Sequence, residues 1–238
     1  MYAVHKSVRH PRTHPYPQRL SMSDEEPPPS RSTYRHGGLR EALLEAGIGM
    51  AREGGPDAVV LREATRRAGV SPNAAYRHFA DREALLKAVS DSCLGFAADR
   101  IERELAEHPP TGPDGTLTEA DARAMLRAVG LGYLAFAREE PGLFRTAYSV
   151  PDDLSHAFDA AKAGRAGRTP FQLVGLALDA MVETGAMPAA RRQNAEFLAW
   201  ATVHGLGMLI IDGPLRGLDD RMVDFATSRL LDMVDRGL

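Results

Sequence analysis

One cysteine, Cys93, and one tryptophan, Trp200, occur in 238 residues. A lone thiol excludes an internal disulfide and fits a reducing compartment, so a cytoplasmic protein is expected. No early segment joins a basic stretch to an apolar one, and no secretory leader is expected. Long apolar runs are missing too. The most apolar, around Trp200 to Ile211, is broken by His204, Gly205 and Gly207, too short and too polar for a bilayer span. No segment alternates apolar and polar positions with β-branched residues, which excludes a sheet, and no internal repeat is present. His5, His10 and His14 lack cysteine or carboxylate partners, so no metal site is expected. No nucleophile, base and orienting residue group together, so neither an enzyme nor a cofactor is expected.

Two glycine-rich stretches also fail as phosphate binders. "GIGMAREGG" has Arg52 where a dinucleotide fingerprint needs its third glycine, and it lies within a helical pattern with no strand before it. "AGRAGR" lacks the Gly-Lys-Ser/Thr of a phosphate loop.

What is present is a 44% hydrophobic chain, enough for a sizeable core. The net charge of −3 hides an asymmetry: 15 Lys and Arg against 12 Asp and Glu in the first 100 residues, 14 against 20 in the rest. A basic front and an acidic back suggest that the front meets a polyanion. Residues 1–36 are basic and proline-rich, with Pro27-Pro28-Pro29 and no periodicity, and read as a disordered tail. Nothing before Met22 resembles structure, which makes Met22 a candidate start.

Helical spacing then begins. Leu39, Leu43, Ala46 and Met50 share a face, and Gly54-Gly55-Pro56 ends it. Leu61, Ala64 and Ala68 make a short second helix, stopped by Gly69. Ser71 as N-cap and Pro72 at the first helical position open a third. Asp81 caps a fourth, with Leu85, Val89, Phe96 and Ile101 on its apolar face. A Pro/Gly linker over 109–115 leads to helices expected at 118–138, 141–148, 152–163, 170–186, 189–211 and 219–236.

Residues 60–79 therefore read as helix, tight turn, helix. Val70, Ala75 and Phe79 point to a small core, while Asn73, Tyr76, Arg77 and His78 stay outside. That is a helix-turn-helix layout, whose second helix enters the DNA major groove. Exposed Tyr, Arg, His and Asn donate hydrogen bonds to phosphates, and Arg or Asn reads base edges. Arg66 and Arg67 read as a solvated face.

The stretch "LREATRRAGVSPNAAYRHFADREALLKAV" resembles the DNA-binding domain of TetR-family transcriptional regulators over roughly residues 38–100. The pattern "AGVS…YRHF…REALL" joins turn, reading helix and next-helix start in register. The resemblance implies an all-α fold: a helix-turn-helix domain at 37–84 and a helical ligand-binding and dimerisation domain at 85–238. It implies that Ser71, Pro72 and Asn73 open the reading helix over the groove. Tyr76 and His78 match the phosphate-contacting pair, with Arg77 between them and Arg82 gripping the backbone. Two positions depart from the pattern. Val60-Leu61 replaces the Ser or Thr that often starts the second helix, and Thr65 replaces an Ala.

"FLAWATVHGLGML" carries Trp200, His204 and Gly205, similar to the WHG group of TetR-like C-terminal domains. It implies a homodimer through the last two helices. A pocket for a small, largely apolar effector is implied as well, compatible with Tyr133, Phe136, Phe144, Tyr148, Phe171, Leu176, Met181, Trp200 and His204. The expected function is a repressor released from a double-stranded DNA operator by that effector. The alternatives are a ligand-independent architectural DNA-binding protein, or an all-α enzyme using the same pocket.

Overall fold

In the computed structural model, which describes residues 36–238, the chain is all-helical and has no strand among the described residues. The expected tail, the Met22 start and the three tail histidines lie outside the described residues, except that His36 already begins the first helix. The helices are α1 (His36–Gly54), α2 (Leu61–Arg67), α3 (Pro72–Ala75), α4 (Arg82–Ala106), α5 (Glu119–Glu139), α6 (Pro141–Ala147), α7 (Pro170–Glu183), α8 (Ala195–Ile211) and α9 (Asp220–Gly237).

Start signals act where the sequence places them. The Ser71 side chain accepts from the Ala74 amide, Asp81 from Ala84, Thr118 from Asp121 and Asp219 from Met222. Each satisfies an amide that the first helical turn leaves open.

α4 is the spine. Its first turns bury Leu85 and Val89 beside α1, and its last turns carry Ile101 to α5. Cys93 lies midway with no exposed surface, and burial pushes its thiol up to about 12. α6 is wedged against the end of α1. A methyl group added to Gly142 would overlap the carbonyl oxygens of Ala51 and Arg52, the latter at 2.7 Å. Arg52 also pairs with Glu140, at 2.9 Å.

Two expected helices break. Over 152–163 only isolated turns form, Leu154–His156 and Ala160–Lys162. Asp153 bonds the Ser155 amide, a local geometry that competes with a helix. Lys162 is buried; its Nζ reaches Asp152 at 2.5 Å and the His156 carbonyl at 2.7 Å, taking an acceptor that a continuous helix needs. The segment therefore folds back as a strap. Arg165 N–H donates to Asp99 on α4 at 2.6 Å, and Lys87 of α4 lies 3.3 Å from Asp152, so the strap is tied to α4 twice. Over 189–211, Asn194 takes a left-handed conformation (φ 58°) that short polar side chains tolerate, and α8 starts only after it.

Candidate functional site

The reading head is built by α2, the turn and α3. Gly69 sits at φ +66°, the conformation glycine adopts without penalty, and turns the chain between the helices. Val70 packs on the core, and Ala75 and Phe79 are buried in it, as their spacing predicts. The Arg40 guanidinium lies 5.2 Å from the Phe79 ring centre. The opposite face is open. Ser71, Pro72, Asn73, Tyr76 and Arg77 are exposed, His78 is half-buried, and Tyr76 shows 58% of its surface.

The remaining cations hold the head together. Arg66 and Arg67 both bind Glu63, and Arg67 reaches Glu53 on α1 at 2.8 Å. Those bonds, from Arg66 first, hold the Glu63 carboxyl down at about 2. The Arg82 guanidinium donates to the carbonyls of Val59 and Pro56, both at 2.8 Å, so it staples the α1–α2 connection to α4 with two of its five N–H groups. Val60 caps α2 with no side-chain bond, and Thr65 returns its hydroxyl to the Arg62 carbonyl at 2.6 Å.

The second feature is a cavity of about 410 Å³ bounded by α4, α5, the end of α6, α7, α8, α9 and the strap. Of the expected residues, Tyr133, Tyr148, Phe171 and Trp200 line it. The other five do not. Phe136, Phe144 and Met181 are buried in the helix packing beside it. Leu176 points outward from α7, 45% exposed. His204 stands behind the wall, stacked on Phe144 at 5.5 Å and edge-on to Tyr148 at 4.7 Å.

A hydrogen-bonded chain fixes the polar end. Trp200 Nε1 donates to the Tyr133 hydroxyl at 3.2 Å, because an indole only donates, and that hydroxyl is hydrogen-bonded to His204 Nδ1 at 2.9 Å, with the proton on the side that the histidine tautomer dictates. Burial lowers the His204 pKa and raises that of Tyr133 far above its usual value, so both are neutral.

The sequence reading missed Leu94 and Ile101 of α4, Asp152 and Lys162 of the strap, and Thr169 at the start of α7, all in the wall. The α4 pair follows from its apolar face. The Asp152–Lys162 pair has no helical spacing and leaves no local signal.

Residues 43–89 match the model of bacterial regulatory proteins of the tetR family. Residues 126–234 match that of the tetracyclin repressor-like C-terminal domain. The chain belongs to the TetR family. It is thus a DNA-binding transcriptional regulator, with the reading head in the first matched region and most of the cavity wall in the second. Among solved structures, a protein of unknown function from Rhodococcus sp. RHA1 is similar at 28% identity and TM-score 0.65, over 87% of this chain and 98% of that one. TetR from Acinetobacter baumannii AYE aligns at 16% identity and TM-score 0.52, over 82% and 93%. A variant of that protein in complex with minocycline aligns at 18% and 0.55, over the same shares. These last two speak for the fold. No curated protein matches the sequence. No helix among the described residues is long and apolar enough to cross a membrane.

Proposed function

We propose that this TetR-family chain is a repressor that dimerises through α8 and α9. On this reading it sets two α3 helices in successive major grooves of a near-palindromic operator and leaves DNA when an effector fills the cavity. The observation that carries the reading is α4. One helix holds the head through Arg82, Leu85 and Val89, and walls the cavity through Leu94 and Ile101. An effector that prefers one tilt of α4 shifts the population of head positions; affinity without that preference shifts nothing. Ser71, Pro72, Asn73, Tyr76, Arg77 and His78 form the contact face, with Arg82 supporting it from behind.

The test is fluorescence-anisotropy binding to DNA upstream of the chain's own gene and to scrambled DNA, across a salt series. Selective binding that weakens steeply with salt is expected, because phosphate contacts release counterions. Tyr76→Ala and His78→Ala should each weaken both DNAs about 5- to 50-fold, the loss of one positioning contact. Unchanged isotherms for both variants remove these residues from the interface.

Dimerisation through α8 and α9 is supported by their outer faces. Val223, Thr227 and Leu231 of α9 face inward, and Arg123, Arg127 and Arg138 of α5 pair with its Asp235, Asp232, Asp220 and Asp224. That leaves Met222, Phe225 and Met233 outside, beside Leu198 and Leu209 of α8, all 43–69% exposed. A helix apolar all round wants cover on every side. Phe225→Asp combined with Leu198→Asp is expected to sediment as a monomer; a dimer at micromolar concentration would move the interface elsewhere.

A further inference from the structure

In the single chain the cavity opens beside the strap. Pro151, Asp153 and Leu154 line it and are exposed at the same time. A row of three aromatic rings runs from the same segment to α8. Phe158 of the strap stands edge-on to Phe171 of α7 at 5.6 Å, and Phe171 is tilted against Phe197 of α8 at 6.4 Å. Phe158 is 58% exposed, Leu154 46% and Phe197 39%. The strap also carries two open carboxylates. Asp153 shows 73% of its side chain, and Asp159 is exposed and makes no cap bond. An apolar patch with a polar rim marks a docking site.

The outer face of α9 has the complementary chemistry. Spacings of three and four residues put Met222, Phe225, Arg229, Met233 and Arg236 on one stripe, and all five are exposed. The helix turns its acids the other way: Asp220, Asp224, Asp232 and Asp235 all pair with arginines of α5. Arg229 and Arg236 make no ion pair among the described residues, so the stripe is apolar and cationic. α8 has no acid to offer it. Its one carboxylate, Glu196, is held by Arg192 at 2.7 Å. The strap patch supplies both things that the stripe lacks, apolar cover and open carboxylates.

We infer that α9 of a second copy seats on the strap and closes the cavity mouth, so that each cavity is walled by both copies. The inference rests on the α8–α9 dimer proposed above. In such a twofold bundle α8 lies between its own α9 and that of the other copy. Phe197 is next to Leu198, which that dimer buries, and it begins the aromatic row on the flank of α8 away from its own α9. The second α9 therefore runs along the row. Its Phe225 and Met233 cover Leu154 and Phe158, and its Arg229 and Arg236 meet Asp153 and Asp159. A ligand in the cavity then has a neighbour from the other copy at its way out.

A charge swap tests the seating on the full chain. Arg229→Glu with Arg236→Glu is expected to weaken the dimer about tenfold in sedimentation equilibrium, the loss of two rim pairs. Adding Asp153→Lys with Asp159→Lys should restore it, because in a homodimer every copy carries both halves of the pair. Trp200, the only tryptophan, lines the cavity and reads the mouth. At concentrations where the Arg229→Glu, Arg236→Glu chain is still a dimer, acrylamide should quench it about twice as strongly as in the parent, since local exposure admits the quencher. The fourfold variant should return to the parent value. A fourfold variant no tighter than the double one, or quenching equal in all three dimers, overturns the inference. Failure of the dimer reading looks different. If the parent chain is a monomer, or if Phe225→Asp with Leu198→Asp still dimerises, the α8–α9 interface falls and the shared mouth with it. If that variant is a monomer and the charge swap restores nothing, the interface stands and only the closure is lost.

Discussion

Phe144→Ala is expected to melt about 10 °C below the parent chain. Phe144 has no exposed surface and sits at the centre of an aromatic cluster, with Tyr133 at 5.4 Å, Tyr148 at 5.7 Å and Phe136 at 6.1 Å. Truncating a fully buried phenylalanine costs about 3–5 kcal/mol, from lost transfer energy and the void left behind. Domains of this size lose roughly 2–4 °C per kcal/mol. Differential scanning calorimetry decides it. A shift under about 3 °C would mean that the ring faces usable space and belongs to the cavity after all.

The second large effect is expected at Gly142. Gly142→Ala places a methyl group against two backbone carbonyls of α1, and backbone has no rotamer with which to move aside. Overpacking of this kind costs about 1–3 kcal/mol. The strain has a direction, because it pushes α6 away from the end of α1, which carries the reading head. Loss of stability should therefore come with a change in operator affinity even though residue 142 is far along the chain from the contact face. Calorimetry and anisotropy on one preparation read both. A variant that loses stability and keeps full DNA affinity would show that α6 does not set the head's position.

The head was legible in the sequence because its signals are local. Ser71-Pro72, Gly69 and Asp81 each act within four residues of themselves, and the buried set Ala75 and Phe79 follows from helical spacing. The cavity was half legible. Tyr133, Tyr148, Phe171 and Trp200 line it, but Phe136, Phe144 and Met181 share the same chemistry and spacing and fill core instead. An apolar cavity and an apolar core make the same demand on a side chain. Only the third dimension separates them. The strap was illegible for a related reason. Its alanines favour a helix, and what overrides them is an ion pair between residues ten apart, Asp152 and Lys162, on a stretch that must also meet α4. The structural bonds of Arg82 were illegible as well, because the carbonyls it binds lie more than twenty residues earlier.

The position of Cys93 has a practical consequence. The chain's only thiol is sealed inside α4's packing and stays protonated, so it resists alkylation and oxidation in the folded protein. A cysteine introduced on the exposed surface is then the sole reactive sulfur. In the proposed dimer, spin labels attached at position 73 of each protomer would report the distance between the two reading heads directly, with and without an occupant in the cavity, and no background thiol has to be engineered away.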